Sequence, residues 1–353
     1  MEQDDPWMQT GAAKPGEAAG QGAGPGAGQA APGFQDAVLA AAQAGGMFAV
    51  LDGAQFDDLP RALLMGDFAA RPLYLDRGEN NPEQVVTAPH LVRLDERGAR
   101  GDGRPPEAVV PALFALIGDR PAAVFWRCAG GEDMLYKHLR GINMVLYPRA
   151  ALAEPPAPPP AEAAEPVPDS HVRVIFRHAD ANVMAQTLPA MDAAELARFY
   201  GPADCLFFAP EADWSGGHPW LQAPRPGDLP EPPRGALTLS MATVERMQGL
   251  RQAYHRRRIS TYLRKVAPEH TREMDDKALD AATAGFMAEA KGYGVRSESA
   301  MGRWSYLQLL TGGQMGQQPA VTDYLVKGDA TKTADQRVRD LMHMAAFRAA
   351  VGG

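Results

Sequence analysis

Residues 174–180, VIFRHAD, set a histidine and an aspartate two positions apart directly after an apolar run. His178 and Asp180 at the end of a strand have two chemical readings. One is a metal pair, or a general base with its orienting carboxylate, as a metal-dependent hydrolase would use. The other is a strand end followed by a helix cap, with Asp180 accepting from the free N–H groups of the next helix. A metal site needs a third and a fourth ligand, and no HxxxH or CxxC spacing stands nearby. The cap accounts for more of the pattern, because Asp180 precedes Val183, Met184 and Leu188 in a helical stretch, 181–189. A second junction follows at once. Asp192 stands three residues before Glu195, the arrangement of a capping box, and Gly201-Pro202 ends the helix predicted over 193–200.

Other chemistry is sparse. No GxSxG elbow, Walker loop or dinucleotide glycine fingerprint occurs. GAGPGAG, near 22–28, has no strand before it and no helix opening on it, so it is not a phosphate cradle. His218 sits alone in a Trp/Pro-rich loop after Ser215-Gly216-Gly217, and a surface position explains it. The run RQAYHRRRISTYLRK, 251–265, is basic and interleaved with Tyr254 and Tyr262, as a phosphate-binding helix would be. Yet both tyrosines fall on the apolar stripe of that helix. A solvated face, or a docking face for a protein, is the preferred reading, with Arg256, Arg257 and Arg258 at its centre. No nucleic acid, cofactor or metal is expected.

These residues must be positioned by short apolar runs that alternate with helical patterns. Strands are predicted at 47–51 (MFAVL), 72–75, 90–94, 123–127 (AVFWR), 144–147 and 172–176, with helices near 34–44, 106–116 and 134–139. The fold class is an α/β N-terminal lobe, 34–222, with a mixed sheet flanked by helices. Strands 144–147 and 172–176 form a hairpin around the Pro-rich insert 151–169. Another Pro-rich stretch, 223–235, is expected as the linker to an all-α helical C-terminal lobe, 236–353. In that lobe Met241, Val244, Met247, Leu250 and Tyr254 recur three or four apart, and further helices cover about 276–291, 297–311, 319–326 and 333–350. Residues 1–33 are Gly/Ala/Pro/Gln-rich and are expected to be disordered.

The bulk composition agrees with a soluble, cytoplasmic protein. The start, MEQDDPWMQTG, has no apolar core of a secretory signal, and no run approaches the length of a membrane span. The two cysteines, Cys128 and Cys205, fit a reduced compartment. The net charge of −8 is uneven: 236–353 carries 17 basic against 12 acidic residues, and 1–235 carries 18 against 31. Two lobes of opposite sign suit different partners or each other.

Four segments, taken in order, resemble a known family. FAVLDGAQ (48–55), APHLVRLD (88–95), VFWRCAGGEDMLYKHLRGINMVLYP (124–148) and VIFRHADANVMAQTLPAMDAAELARFYGP (174–202) look like the domain of unknown function numbered 4123. Its members are adaptor chaperones of the bacterial type VI secretion system. AKGYGVRSESAMGRWSYLQLLTGGQ (290–314) is similar to the helical part often attached to that domain. The resemblance implies a non-enzymatic protein that binds a toxic effector and helps load it onto the VgrG or PAAR spike. In the family the segment after the strand has Phe-Arg, two aromatic residues, Asp and Pro. Arg177 and Asp180 match, His178 and Ala179 replace the aromatics, and Ala181 replaces the proline.

An adaptor needs apolar anchors and selective charge on an exposed surface. Asp52, Arg93, Asp95, Arg177 and Asp180, placed at strand ends near one edge of the sheet, have two readings: they orient one another structurally, or they form part of that surface. Trp126, Trp214, Trp220, Phe207 and Phe208 are candidate anchors, with Trp126 and Trp214 foremost, although buried aromatic packing is the commoner fate of each.

Overall fold

The structure is a computed structural model, and it describes residues 33–74, 86–94, 104–152, 167–215 and 217–351. The low-complexity start, nearly all of the Pro-rich insert, and Asp95 lie outside the described residues. The chain divides into two compact units, here 33–250 and 251–351. The first is an α/β unit and the second is helical.

The α/β unit is built on strands whose sequences dictate burial. β1 (Met47–Leu51) is apolar at every position and buried throughout, as a strand covered on both faces must be. It lies at the middle of a six-stranded antiparallel sheet with β2 (Ala70–Pro72), β3 (His90–Arg93), β4 (Ala123–Arg127), β7 (Cys205–Phe208) and β8 (Leu221–Pro224), in the order β2-β3-β1-β4-β7-β8. Successive side chains point to opposite faces, and two separate cores result. Met47, Ala49, Leu51 and Phe125 face α1 (Phe34–Ala44), α2 (Leu59–Met65) and α3 (Pro106–Ile117) through Val38, Leu63 and Leu113. Phe48, Val50, Val124 and Trp126 face the other way. They meet Leu135 and Leu139 of α4 (Glu132–Ile142), Met184 of α5 (Ala181–Thr187) and Phe199 of α6 (Ala193–Tyr200).

A smaller mixed sheet adjoins this second core. β5 (Met144–Pro148) and β6 (His171–Ile175) form the expected antiparallel hairpin, and β9 (Leu237–Thr238) pairs parallel to β5. The Pro-rich stretch expected to link two lobes therefore stays within one unit. It starts inside β8, Leu229 packs on the core, and the chain returns as β9. After the short α7 (Ala212–Ser215), β8 and β9, the chain enters α8 (Met241–Val266), and the division between units falls within that helix.

In the helical unit, the rest of α8 is followed by α9 (Pro268–Thr271), α10 (Asp276–Gly292), α11 (Glu298–Leu310), α12 (Pro319–Lys327) and α13 (Ala334–Val351). α11 is buried over most of its surface: Ala300, Trp304, Leu307 and even Ser305 and Gln308 are enclosed. Its polar groups are matched by α10. The Glu289 carboxylate accepts from Nε1 of Trp304 at 3.2 Å and from the amide of Gln308.

Candidate functional site

Asp52 leaves the end of β1 and turns the chain. Its Oδ1 accepts from the N–H of Ala54 at 3.2 Å, capping the single 3-10 turn Gly53–Gln55. Gly53 is needed there for space, because a Cβ would lie 2.4 Å from the carbonyl oxygen of Ala88 and 2.7 Å from that of Val86. Gln55 ties the turn down, donating to Oδ2 of Asp52 and to the Pro121 carbonyl, each at 3.3 Å.

Residues 176–181 approach the same point from β6. The Phe176 N–H donates to the Asn143 carbonyl and the Ala181 N–H to the Pro121 carbonyl, which fixes both ends of the turn. Between them the side chains diverge. Arg177 faces outward and donates from Nε to Oδ2 of Asp52 at 3.1 Å, with Nη2 bonded to the same oxygen. Nη2 also lies 3.4 Å from Oδ2 of Asp180. Asp180 is the cap of α5: its Oδ1 accepts from the N–H groups of Asn182 at 2.8 Å and Val183 at 3.3 Å. The second predicted junction is also present, with the complete capping box of Asp192 and Glu195 at the start of α6.

The site is thus two buried carboxylates, Asp52 and Asp180, holding one arginine whose side chain remains 44% exposed. Burial works against the Arg177 charge, but Asp52, Asp180 and Tyr74 together outweigh it and raise the guanidinium pKa. Burial lifts the Asp180 carboxyl above its ordinary value, and Arg177 offsets only part of that. Tyr74 stands beside the pair, its phenol pushed up to about 12 by burial and by Asp52.

His178 turns the other way and is fully buried. Its Nε2–H donates to Oδ1 of Asn143 at 2.6 Å, an orientation set by the Asn143 amide donating to the Leu73 carbonyl at 3.0 Å. The ring stands edge-on to Trp126, with centroids 6.2 Å apart. Burial, and then the neighbouring His138, push its pKa down to about 3. No hydrogen bond joins His178 to Asp180, and among the described residues no three His, Cys, Asp or Glu side chains gather as metal ligands. The arrangement orders charge and caps a helix, and the buried imidazole has no exposed atom to offer a substrate.

Several expected surface residues are elsewhere. Arg93 pairs with Phe48 in the register, whereas Asp52 lies beyond Leu51, so they are four residues apart along β1, about 13 Å at about 3.3 Å per residue. Arg93 is at the opposite end of the sheet, bound to Glu132 of α4, which also takes Arg71 at 3.1 Å. The antiparallel pairing puts the end of β3 at the start of β1, and no local pattern announces that. Trp126 is a fully enclosed core residue and no surface anchor, while Phe207 and Phe208 are buried on opposite faces of β7. Trp220 stacks between Phe207 and Phe34, and Trp214 is half-buried on α7.

Of the basic run, Arg256 is bonded to Asp280 at 2.6 Å and Arg258 to Glu298 at 3.2 Å, both inside the helical unit, while Arg257 is exposed. Sequence reasoning missed Gln55, Tyr74 and Asn143, which the fold brings in from unrelated positions.

Beside Gln55 runs a groove of about 440 Å³ between α2 and the end of α3. Phe56, Ala62, Met65 and Leu116 give it apolar walls, with Asp57, Arg61 and Arg120 on the rim. Leu64 and Met65 next to it are 78% and 77% exposed. No described helix is long and apolar enough to cross a membrane. Comparisons of the chain with protein-family models, curated proteins and solved structures returned no match.

Proposed function

We propose that this chain is a non-enzymatic adaptor that binds a type VI secretion effector in the cytoplasm and promotes its loading onto the VgrG or PAAR spike. The observation that carries the reading is the Asp52–Arg177–Asp180 assembly. An arginine held by two buried carboxylates is already ordered, so little side-chain entropy is lost when a partner docks on it. Arginines of this kind are enriched among the residues that dominate binding energy. The groove beside Gln55 and the exposed Leu64 and Met65 supply apolar contact area within a charged rim. The four ordered segments that resemble the adaptor family point to the same role.

The test is co-expression with a candidate effector, the product of an adjacent gene, followed by affinity capture. A stable complex with the parent chain, weakened at least about tenfold by Arg177→Ala or Met65→Asp, is the expected result. Absence of any complex, together with no effect on effector solubility or secretion, would overturn the reading.

A further inference from the structure

A second cavity, of about 560 Å³, opens elsewhere on the α/β unit between α6, the start of β6 and the segment 233–241. Its volume is in the range of pockets that hold a small ligand or a few residues of peptide. Its walls are largely apolar, with Pro148, Ala194, Leu239 and Met241 among them, and Met241 is 40% exposed at the rim. Two arginines and a histidine share the lining, Arg198, Arg234 and His171, beside the hydroxyls of Ser170, Thr238 and Ser240.

Arg198 is the unusual one. It sits half-buried in the last turn of α6, and its only hydrogen bond among the described residues runs from Nε to the Gly235 carbonyl at 2.8 Å. Burial alone draws its pKa down, with no carboxylate acting in the other direction. Charged side chains are almost never taken fully out of water unless paired, and burial of Arg198 goes part of that way. Neither Arg198 nor Arg234 is paired with a described carboxylate.

The two acids that also line the cavity are already engaged. Asp192 caps α6, and the two oxygens of Glu195 accept from the N–H groups of Asp192 at 2.9 Å and Ser240 at 2.7 Å and from the Thr243 hydroxyl at 2.6 Å. His138 and Arg225, which lie electrostatically close to Arg198, add no negative charge.

We infer that this cavity binds a peptide segment ending in an apolar residue and a free carboxylate, its side chain against Leu239 and Met241 and its carboxylate on Arg198 and Arg234. The inference stands on this cavity and does not depend on the effector reading.

The probes are acetyl-Ala-Ala-Leu with a free carboxyl terminus and the same peptide as its amide, each titrated calorimetrically into the full chain. The acid should bind at least about tenfold more tightly than the amide, since a charge-assisted pair is at stake. That preference should shrink in Arg198→Gln and in Arg234→Gln and persist in part in Arg198→Lys. Arg234 is exposed, so its variant folds even where Arg198→Gln disturbs the 233–241 segment. Equal affinity for acid and amide, no saturation by about 10 mM, or a preference untouched in both glutamine variants would overturn the inference.

Discussion

Arg177 donates from Nε and Nη2 to a single oxygen of Asp52, a residue 125 positions earlier in the chain. The bond clamps the turn after β6 to the turn after β1, and it leaves part of the guanidinium in solvent. Asp52 itself is nearly excluded from water, and Arg177 is the cation bonded to it.

Removing the cation should therefore cost more than removing a surface pair. Arg177→Ala is expected to destabilise the α/β unit by about 2 kcal/mol, because it leaves a buried carboxylate without its cation, while the Ala54 N–H and the Gln55 amide still donate to it and water reaches the vacated place. Asp52→Asn/Arg177→Gln should recover much of that loss. Urea denaturation of the three chains measures it, and a single-variant cost under about 0.5 kcal/mol would class the pair with ordinary surface bridges.

Acid should weaken the fold through two histidines. Burial pushes His178 down to about 3 and His138 to about 4, so both stay neutral in the folded chain while the unfolded chain takes up protons near 6.5. Folded values below the unfolded one mean that stability is full above about pH 6.5 and is lost as pH falls toward the folded values. Between pH 7.5 and 5.0 each histidine should remove about 2 kcal/mol. His178→Phe, placing an aromatic in an aromatic surrounding, should shrink the pH-dependent loss by about that amount even though it strands Oδ1 of Asn143 and lowers stability at neutral pH. A pH difference unchanged by the substitution would show that His178 is not one of the groups.

Gly53 should resist any side chain. Gly53→Ala drives a methyl into the Ala88 and Val86 carbonyl oxygens, and a cost of about 2 kcal/mol is expected from overpacking against rigid backbone. Gly227→Ala, where no atom lies within 4 Å of the added carbon, should stay within about 0.5 kcal/mol. Thermal melts of the two side by side settle the comparison.

In the helical unit, Arg256 spends its charge on Asp280 with both side chains partly in water. Arg256→Ala should cost only about 0.5 kcal/mol. Arg256→Asp should cost about 1 kcal/mol, since it sets like charges together, and the exchange Arg256→Asp/Asp280→Arg should restore the parent stability. An exchange no better than the single reversal would mean that the pair contributes nothing.

Local chemistry was legible without coordinates. Asp180 caps α5 and Asp192 pairs with Glu195 because capping joins a side chain to N–H groups two or three residues on. The buried runs of β1 and β4, the hairpin of β5 with β6, and the helices of the second unit follow from periodicities spanning a few residues. The division into an α/β part and a helical part was visible for the same reason.

The site was only half visible. Asp52, Arg177 and Asp180 were each identifiable as strand-end residues, but Arg93 looked equivalent and lies at the other end of the sheet. Trp126 could be read as an anchor or as core, and it is core because both faces of the sheet are covered.

By itself, then, the sequence determined the elements, their caps and the apolar faces they must bury, all set by neighbours within about four positions. Tertiary structure alone decided strand order, direction and which charges meet, since pairing residues 125 positions apart depends on how the whole sheet closes around its two cores.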